Sequence, residues 1–250
     1  MAATARSTAA ALPPAVRELY PFSGRYLTIE EGHRLHYLDE GKGENLLMLH
    51  GNPTWSFYYR RLVQGLSDQY RCVVPDHMGC GLSDKPQDWN YCLENHTRNV
   101  LHLIEALDLS DITLIAHDWG GAIGMYAALQ ARHRFKRIIL FNTMSRMDNL
   151  PKSIHLSRAP LVGPVALRGF NAFLRYAVRF GTANREHFKG AVEQGYLAPY
   201  DSWHNRIAIL RFVEDIPMEQ GHPTMPIAQA MTRQVPELDE LPTMIIWGNQ

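Results

Sequence analysis

Short apolar runs recur through the first half of the chain, at 46–49, 70–75, 112–116 and 136–141, and once more at 244–247. Runs of this kind, bounded by turn residues and lacking polar alternation, mark strands buried on both faces of a parallel sheet. Helical spacing fills the intervals. Residues 54–68 read as a helix that Thr54 can cap, behind a Pro53 that holds Asn52 extended, and Val100, Leu101, Ile104 and Leu107 share one face of a helix over 95–107. A small-residue helix runs from Gly120 to about His133. Upstream, 25–30 and 33–39 alternate as a hairpin across Glu31-Gly32, with Leu35 and Tyr37 on one face. Strands alternating with helices at this spacing predict an α/β protein with a mostly parallel sheet and right-handed crossovers.

The rhythm changes after Asn142. From 144 to 235 no buried-strand signal occurs, only helical segments such as 165–180 and 202–212 separated by Pro and Gly. The expected organisation is therefore a loose arm over 1–20, a sheet domain formed by 21–143 and 236–250, and a helical cap inserted at 144–235. Phe170, Phe173, Tyr176, Phe180, Tyr196, Tyr200 and Trp203 give the cap enough aromatic surface to line an apolar pocket. For any one of them, packing within the cap is the commoner fate.

At 250 residues the chain can build such a core without disulfide or metal support. Its 25 Lys and Arg balance 25 Asp and Glu, with no block of like charge, so neither nucleic acid nor an anionic surface is the expected partner; a small apolar substrate is. Cys72, Cys80 and Cys92 are odd in number and lack CxxC spacing, which points to a reducing, cytoplasmic setting and away from zinc. No HExxH occurs, and nothing calls for a cofactor. The Ala- and Ser-rich start ends at Pro13-Pro14 and does not read as a signal peptide. No run reaches the ~18 apolar residues of a membrane span.

The chemistry concentrates in DITLIAHDWGG, 111–121. A strand stops at Asp118 and a helix starts at once, with small residues Ala116, Gly120 and Gly121 around the turn. This is the pattern of a nucleophile elbow, in which a tight backbone holds one side chain clear of the sheet. The competing role for Asp118 is a helix N-cap. His117 should point away from the apex, and His50 ends a buried strand, so both read as hydrogen-bonded structural histidines. Asp76 and Asp84 read as organisers of the Gly-rich loop 76–86.

Three stretches, HGNPTWSFYYR at 50–60, PDHMGCGLSDKP at 75–86 and AHDWGG at 116–121, give the chain its family likeness. It resembles the α/β-hydrolase fold and, within it, the haloalkane dehalogenases. The first two of those stretches, with YLAPYDSWHNRIAILRFVEDIPM at 196–218, look closer still to the β-lactone decarboxylases of long-chain olefin biosynthesis. The resemblance implies Asp118 as nucleophile, with the Trp119 indole N–H and the Asn52 amide as leaving-group donors, and the Asn52 and Trp119 backbone N–H groups as an oxyanion hole. An ionised Asp, with an unperturbed pKa of ~3.9, attacks without a base. The family's acid follows either the strand ending at Asn142, here an amide, or the strand ending near Gln250, and its base histidine comes later still. The expectation is thus an incomplete copy whose acid and base lie beyond Gln250, and whose last strand is an unpaired apolar edge.

The leading expectation is hydrolytic dehalogenation through an alkyl-enzyme ester. The first alternative is β-lactone decarboxylation to an olefin and CO2, which also implies association with other enzymes of that pathway. Epoxide hydrolysis, with Tyr176, Tyr196 or Tyr200 donating a proton, comes third. A non-catalytic binding protein on the same fold is the reading from a different class.

Overall fold

Residues 12–29, 32–143 and 152–248 are described by a computed structural model. Seven strands form one sheet: β1 (Arg25–Thr28), β2 (Arg34–Glu40), β3 (Glu44–Leu49), β4 (Tyr70–Pro75), β5 (Ile112–His117), β6 (Phe135–Phe141) and β7 (Thr243–Ile246). Their order is β1-β2-β4-β3-β5-β6-β7, antiparallel over the first three and parallel from β4 onward. The helices are α1 (Pro14–Leu19), α2 (Arg60–Leu66), α3 (Leu93–Ala106), α4 (Trp119–Gln130), α5 (Lys152–Arg158), α6 (Val162–Pro164), α7 (Ala172–Phe180), α8 (Ala191–Leu197), α9 (Ile207–Glu214) and α10 (Met225–Gln234). The last six all fall between β6 and β7.

The apolar runs became strands because both of their faces are covered. Successive side chains of a strand point to opposite faces. Leu47, Leu49, Val73, Leu114 and Ala116 join a core that includes Leu103 and Ile104 of α3 and Ile123 and Ala127 of α4. Their neighbours Leu46, Met48, Cys72, Val74 and Ile115 join a second core with Val16 of α1, Val63 of α2, Leu174 and Val178 of α7, and Leu210 and Val213 of α9. Burying one such side chain stabilises the fold by about 1.5–3 kcal/mol.

Three local expectations change. Residues 12–20 are not loose: α1 carries Val16 into the core, flanked by buried Leu12 and Tyr20, and the Tyr20 hydroxyl meets Ser56 Oγ at 2.5 Å. The rest of that arm, like Glu30 and Glu31 of the hairpin turn, lies outside the described residues. Thr54 caps no helix: its Oγ1 donates to the Gly51 carbonyl at 2.9 Å, and the chain passes through extended Trp55 into a 3-10 turn, Ser56–Tyr59, before α2. The segment 165–180 is not one helix. It is a π-helical turn, Val165–Gly169, separated from α7 by Asn171 in the left-handed region at φ 53°.

Candidate active site

The sheet register brings the candidate residues together. β3 and β5 are parallel neighbours with Leu49 opposite Ala116, so the loops leaving their C-terminal ends emerge side by side. Ligands of open α/β sheets gather at such ends. One loop carries His50, Gly51 and Asn52; the other is the turn at Asp118.

Asp118 has φ 53° and ψ −126°, a left-handed strain that a non-glycine residue tolerates only where its surroundings fix it. They do: Thr143 Oγ1 donates to the Asp118 carbonyl at 2.6 Å, and the Asp118 N–H donates to the Asn142 carbonyl at 3.3 Å. Glycine is required beside this turn. A Cβ on Gly120 would collide with the Leu49 carbonyl, and one on Gly51 would enter the Asp118 carboxylate. Asp118 makes no side-chain cap to α4. Its Oδ1 instead accepts the Asn52 backbone N–H at 2.8 Å. The N-cap role is thereby set aside, and Oδ2 is the oxygen left for another partner.

Both candidate donors are held from α9. Asn52 is buried, and one hydrogen of its Nδ2 goes to the Ile209 carbonyl at 3.2 Å, which fixes the amide while leaving the other hydrogen. The Trp119 indole packs against Phe212 at 5.2 Å between ring centroids, and its Nε1 donates to no group among the described residues. Ile209 and Phe212 lie three apart on α9, hence on neighbouring positions of one helix face. Sequence reasoning singled out neither. α9 is itself anchored, since the buried Asp215 at its end accepts the Leu93 N–H at 2.7 Å and the Thr224 hydroxyl, tying it to the start of α3.

The remaining polar residues are occupied structurally. His50 donates from Nδ1 to the Gly51 carbonyl and accepts the His77 N–H at Nε2, at 2.9 and 3.0 Å. Burial depresses its pKa, as it does that of His117, whose ring stacks on Tyr58 at 4.6 Å. Asp76 accepts from the Ser56 N–H, the Leu82 N–H and the His36 ring at 2.7 to 2.8 Å. Burial alone would raise its pKa, but the His36 ring and these donors hold it below the usual carboxylate value. Asp84 binds Arg34, and the Asn142 side chain accepts the Gly248 N–H at 3.2 Å. Among the tyrosines weighed for epoxide opening, Tyr200 donates to the Thr54 carbonyl at 2.9 Å, Tyr196 lies against Phe57 and Phe188, and Tyr176 is 64% exposed. No cluster of three or more metal-ligating side chains occurs among the described residues.

Asp118 thus sits strained at a strand–helix elbow, with a backbone donor on one carboxylate oxygen. Residues 44–250 match the family described as alpha/beta hydrolase fold, and the chain belongs to it. Within that family it is haloalkane dehalogenase-like. It is 42% identical over 239 residues to the cis-3-alkyl-4-alkyloxetan-2-one decarboxylase of Shewanella oneidensis, covering 93% of this chain and 74% of that one. Haloalkane dehalogenase 2 of Mycobacterium tuberculosis is 34% identical over 234 residues, covering 92% of this chain and 79% of the relative. Among solved structures, the haloalkane dehalogenase DatA from Agrobacterium tumefaciens superposes with a TM-score of 0.75 at 26% identity, over 89% of this chain and 78% of that one. DpaA from Paraglaciecola agarilytica does so with a TM-score of 0.74 at 26% identity, over 98% and 81%.

Proposed function

We propose that the protein opens cis-3,4-dialkyl β-lactones, with Asp118 as the nucleophile, and releases an olefin and CO2. The observation that carries the nucleophile is the Asn52 N–H on Oδ1, which leaves Oδ2 to attack. The substrate class is supported by the 42% identity to an oxetan-2-one decarboxylase, against 34% to a dehalogenase.

The steps balance on the substrate and Asp118. Oδ2 bonds to the ring carbon bearing oxygen, the carbon–oxygen bond of the strained ring breaks, and the ring oxygen leaves as part of a carboxylate. The Trp119 indole N–H and the free hydrogen of the Asn52 amide stabilise that departing charge. The C–CO2 bond then breaks, its electron pair becomes the double bond, and the Asp118 ester oxygen leaves to restore the carboxylate. Asn52 N–H stays on Oδ1 throughout. No water is consumed.

Hydrolytic dehalogenation is the second reading, favoured by the same two donors, which suit a leaving halide equally well. There, water must cleave the Asp118 ester. Residues 144–235 serve as the cap in both readings. Cys72, Cys80 and Cys92 are all free thiols, which supports a cytoplasmic protein.

The test is incubation with a cis-dialkyl β-lactone and, separately, a long-chain alkyl bromide, measuring olefin, bromide and intact protein mass. Olefin from the lactone, absent in Asp118→Asn, is the expected result. Bromide release with an adduct on Asp118 and no olefin from the lactone would replace the first reading by the second.

A further inference from the structure

The balanced charge of the whole chain hides a segregated stretch. Between Asn149 and Arg185 stand Lys152, Arg158, Arg168, Arg175, Arg179 and Arg185, and not one Asp or Glu. α7 organises the end of this stretch. It buries Leu174 and Val178, one turn apart, and exposes Arg175 and Arg179 beside Tyr176 and Phe180. Positions four apart stack along a helix, so the exposed face carries a basic row and, adjoining it, an aromatic row. The Tyr176 and Phe180 rings pair at 5.0 Å, and the guanidinium of Arg185 sits 4.9 Å from the Phe180 centroid. No ion pair joins Arg175, Arg179 or Arg185 to a carboxylate among the described residues. The segment leading into α7 adds Leu161, Val165 and Phe170, exposed by 81, 49 and 72%.

A solvated face mixes both signs of charge and hides its aromatics; single exposed apolar residues need no partner, but a cluster framed by cations does. An acidic protein surface would satisfy the arginines and leave Leu161, Val165, Phe170, Tyr176 and Phe180 against polar groups. A bilayer of anionic lipid satisfies both. Aromatic rings settle at the boundary of headgroup and acyl chain, and arginines beside them reach phosphate with their stems along apolar surface.

We propose that α7 and the segment before it seat the cap on an anionic lipid bilayer. Tyr176 and Phe180 enter the interface, and Arg175, Arg179 and Arg185 bind lipid phosphates. The contact is peripheral: no helix among the described residues is long and apolar enough to cross a membrane. It does not depend on which electrophile Asp118 attacks. An apolar substrate dissolved in the bilayer would meet the cap first.

The experiment is flotation of the full chain with vesicles of phosphatidylcholine alone and of phosphatidylcholine with phosphatidylglycerol. The protein is expected to bind the anionic vesicles preferentially and to lose binding as salt shortens the Debye length from ~10 Å at 0.1 M to ~3 Å at 1 M. The pair Arg175→Gln with Arg179→Gln, and separately Tyr176→Ser with Phe180→Ser, should each weaken binding about tenfold or more, with circular dichroism and catalysis in detergent unchanged. Absence of binding to anionic vesicles overturns the proposal. So does binding that neither pair weakens, or a face that assembles copies of the chain or an acidic protein while vesicles stay bare.

Discussion

The Asn52 backbone N–H and the Asp118 Oδ1 lie 2.8 Å apart, so the loop after β3 reads the carboxylate of the elbow directly. An amide oxygen accepts that bond as well as a carboxylate oxygen does, whereas an amide cannot attack carbon. Asp118→Asn is therefore expected to keep the fold, with unfolding free energy within about 1 kcal/mol of the parent, and to abolish olefin and bromide formation. Chemical denaturation and product assays check the two halves. An alkylated mass persisting in Asp118→Asn would move the nucleophile elsewhere.

Trp119 packs its ring on Phe212 and, in the proposed reaction, offers its indole N–H to the departing charge. Trp119→Phe keeps an aromatic surface against Phe212 and removes the donor. The expected loss is about 10²- to 10³-fold in kcat, the cost of losing one donor to a developing charge, with a much smaller change in KM. A kcat within a factor of about two of the parent would assign Trp119 to packing alone.

The sheet was legible because its signal is local. Apolar runs such as 46–49 and 112–116 carry burial on both faces in their own composition, and the small residues around Asp118 carry the turn. The helical stretch between β6 and β7 was legible only as an absence of strands. What holds Asn52 and Trp119, Ile209 through its carbonyl and Phe212 through its ring, depends on where α9 comes to lie, and no local pattern encodes a contact across 157 residues. Thr54 failed as a cap for a related reason: the loop after β3 runs one residue further before turning, so extended Trp55 precedes the 3-10 turn and the Thr54 hydroxyl donates to the Gly51 carbonyl instead. The arginines of 149–185 were diluted by acids elsewhere in the chain, so a global charge count concealed them.

β7 pairs with β6 on one side, and its side chains are exposed along its length. Met244, Ile245, Ile246 and Trp247 are 44 to 65% exposed, beside a strand edge that pairs with no other strand among the described residues. Such an edge templates pairing between copies. This 250-residue chain is expected to self-associate on concentration, and Ile245→Lys to raise the concentration at which light scattering appears. Identical scattering in the two proteins would clear the edge of that role.

His96 supplies a pH dependence with a definite sign. Its ring stacks on Phe212 at 4.4 Å, and neither nitrogen has a hydrogen-bond partner. Burial, helped by the nearby His50, lowers its pKa from 6.5 to about 3. Between those values the unfolded chain takes up a proton that the folded one refuses, so stability falls as pH falls through that window and is fully present above it. One such histidine steepens the acid limb by about 1.4 kcal/mol per pH unit. His50 and His77, also depressed by burial, act in the same direction. His96→Leu keeps an apolar neighbour for Phe212 and removes the titrating group. Its unfolding free energy, followed by urea denaturation from pH 7 to pH 4, should fall less steeply than the parent's, by about that slope for one proton. Parallel curves would mean that His96 is already protonated in the fold, and that the Phe212 stack shelters an imidazolium.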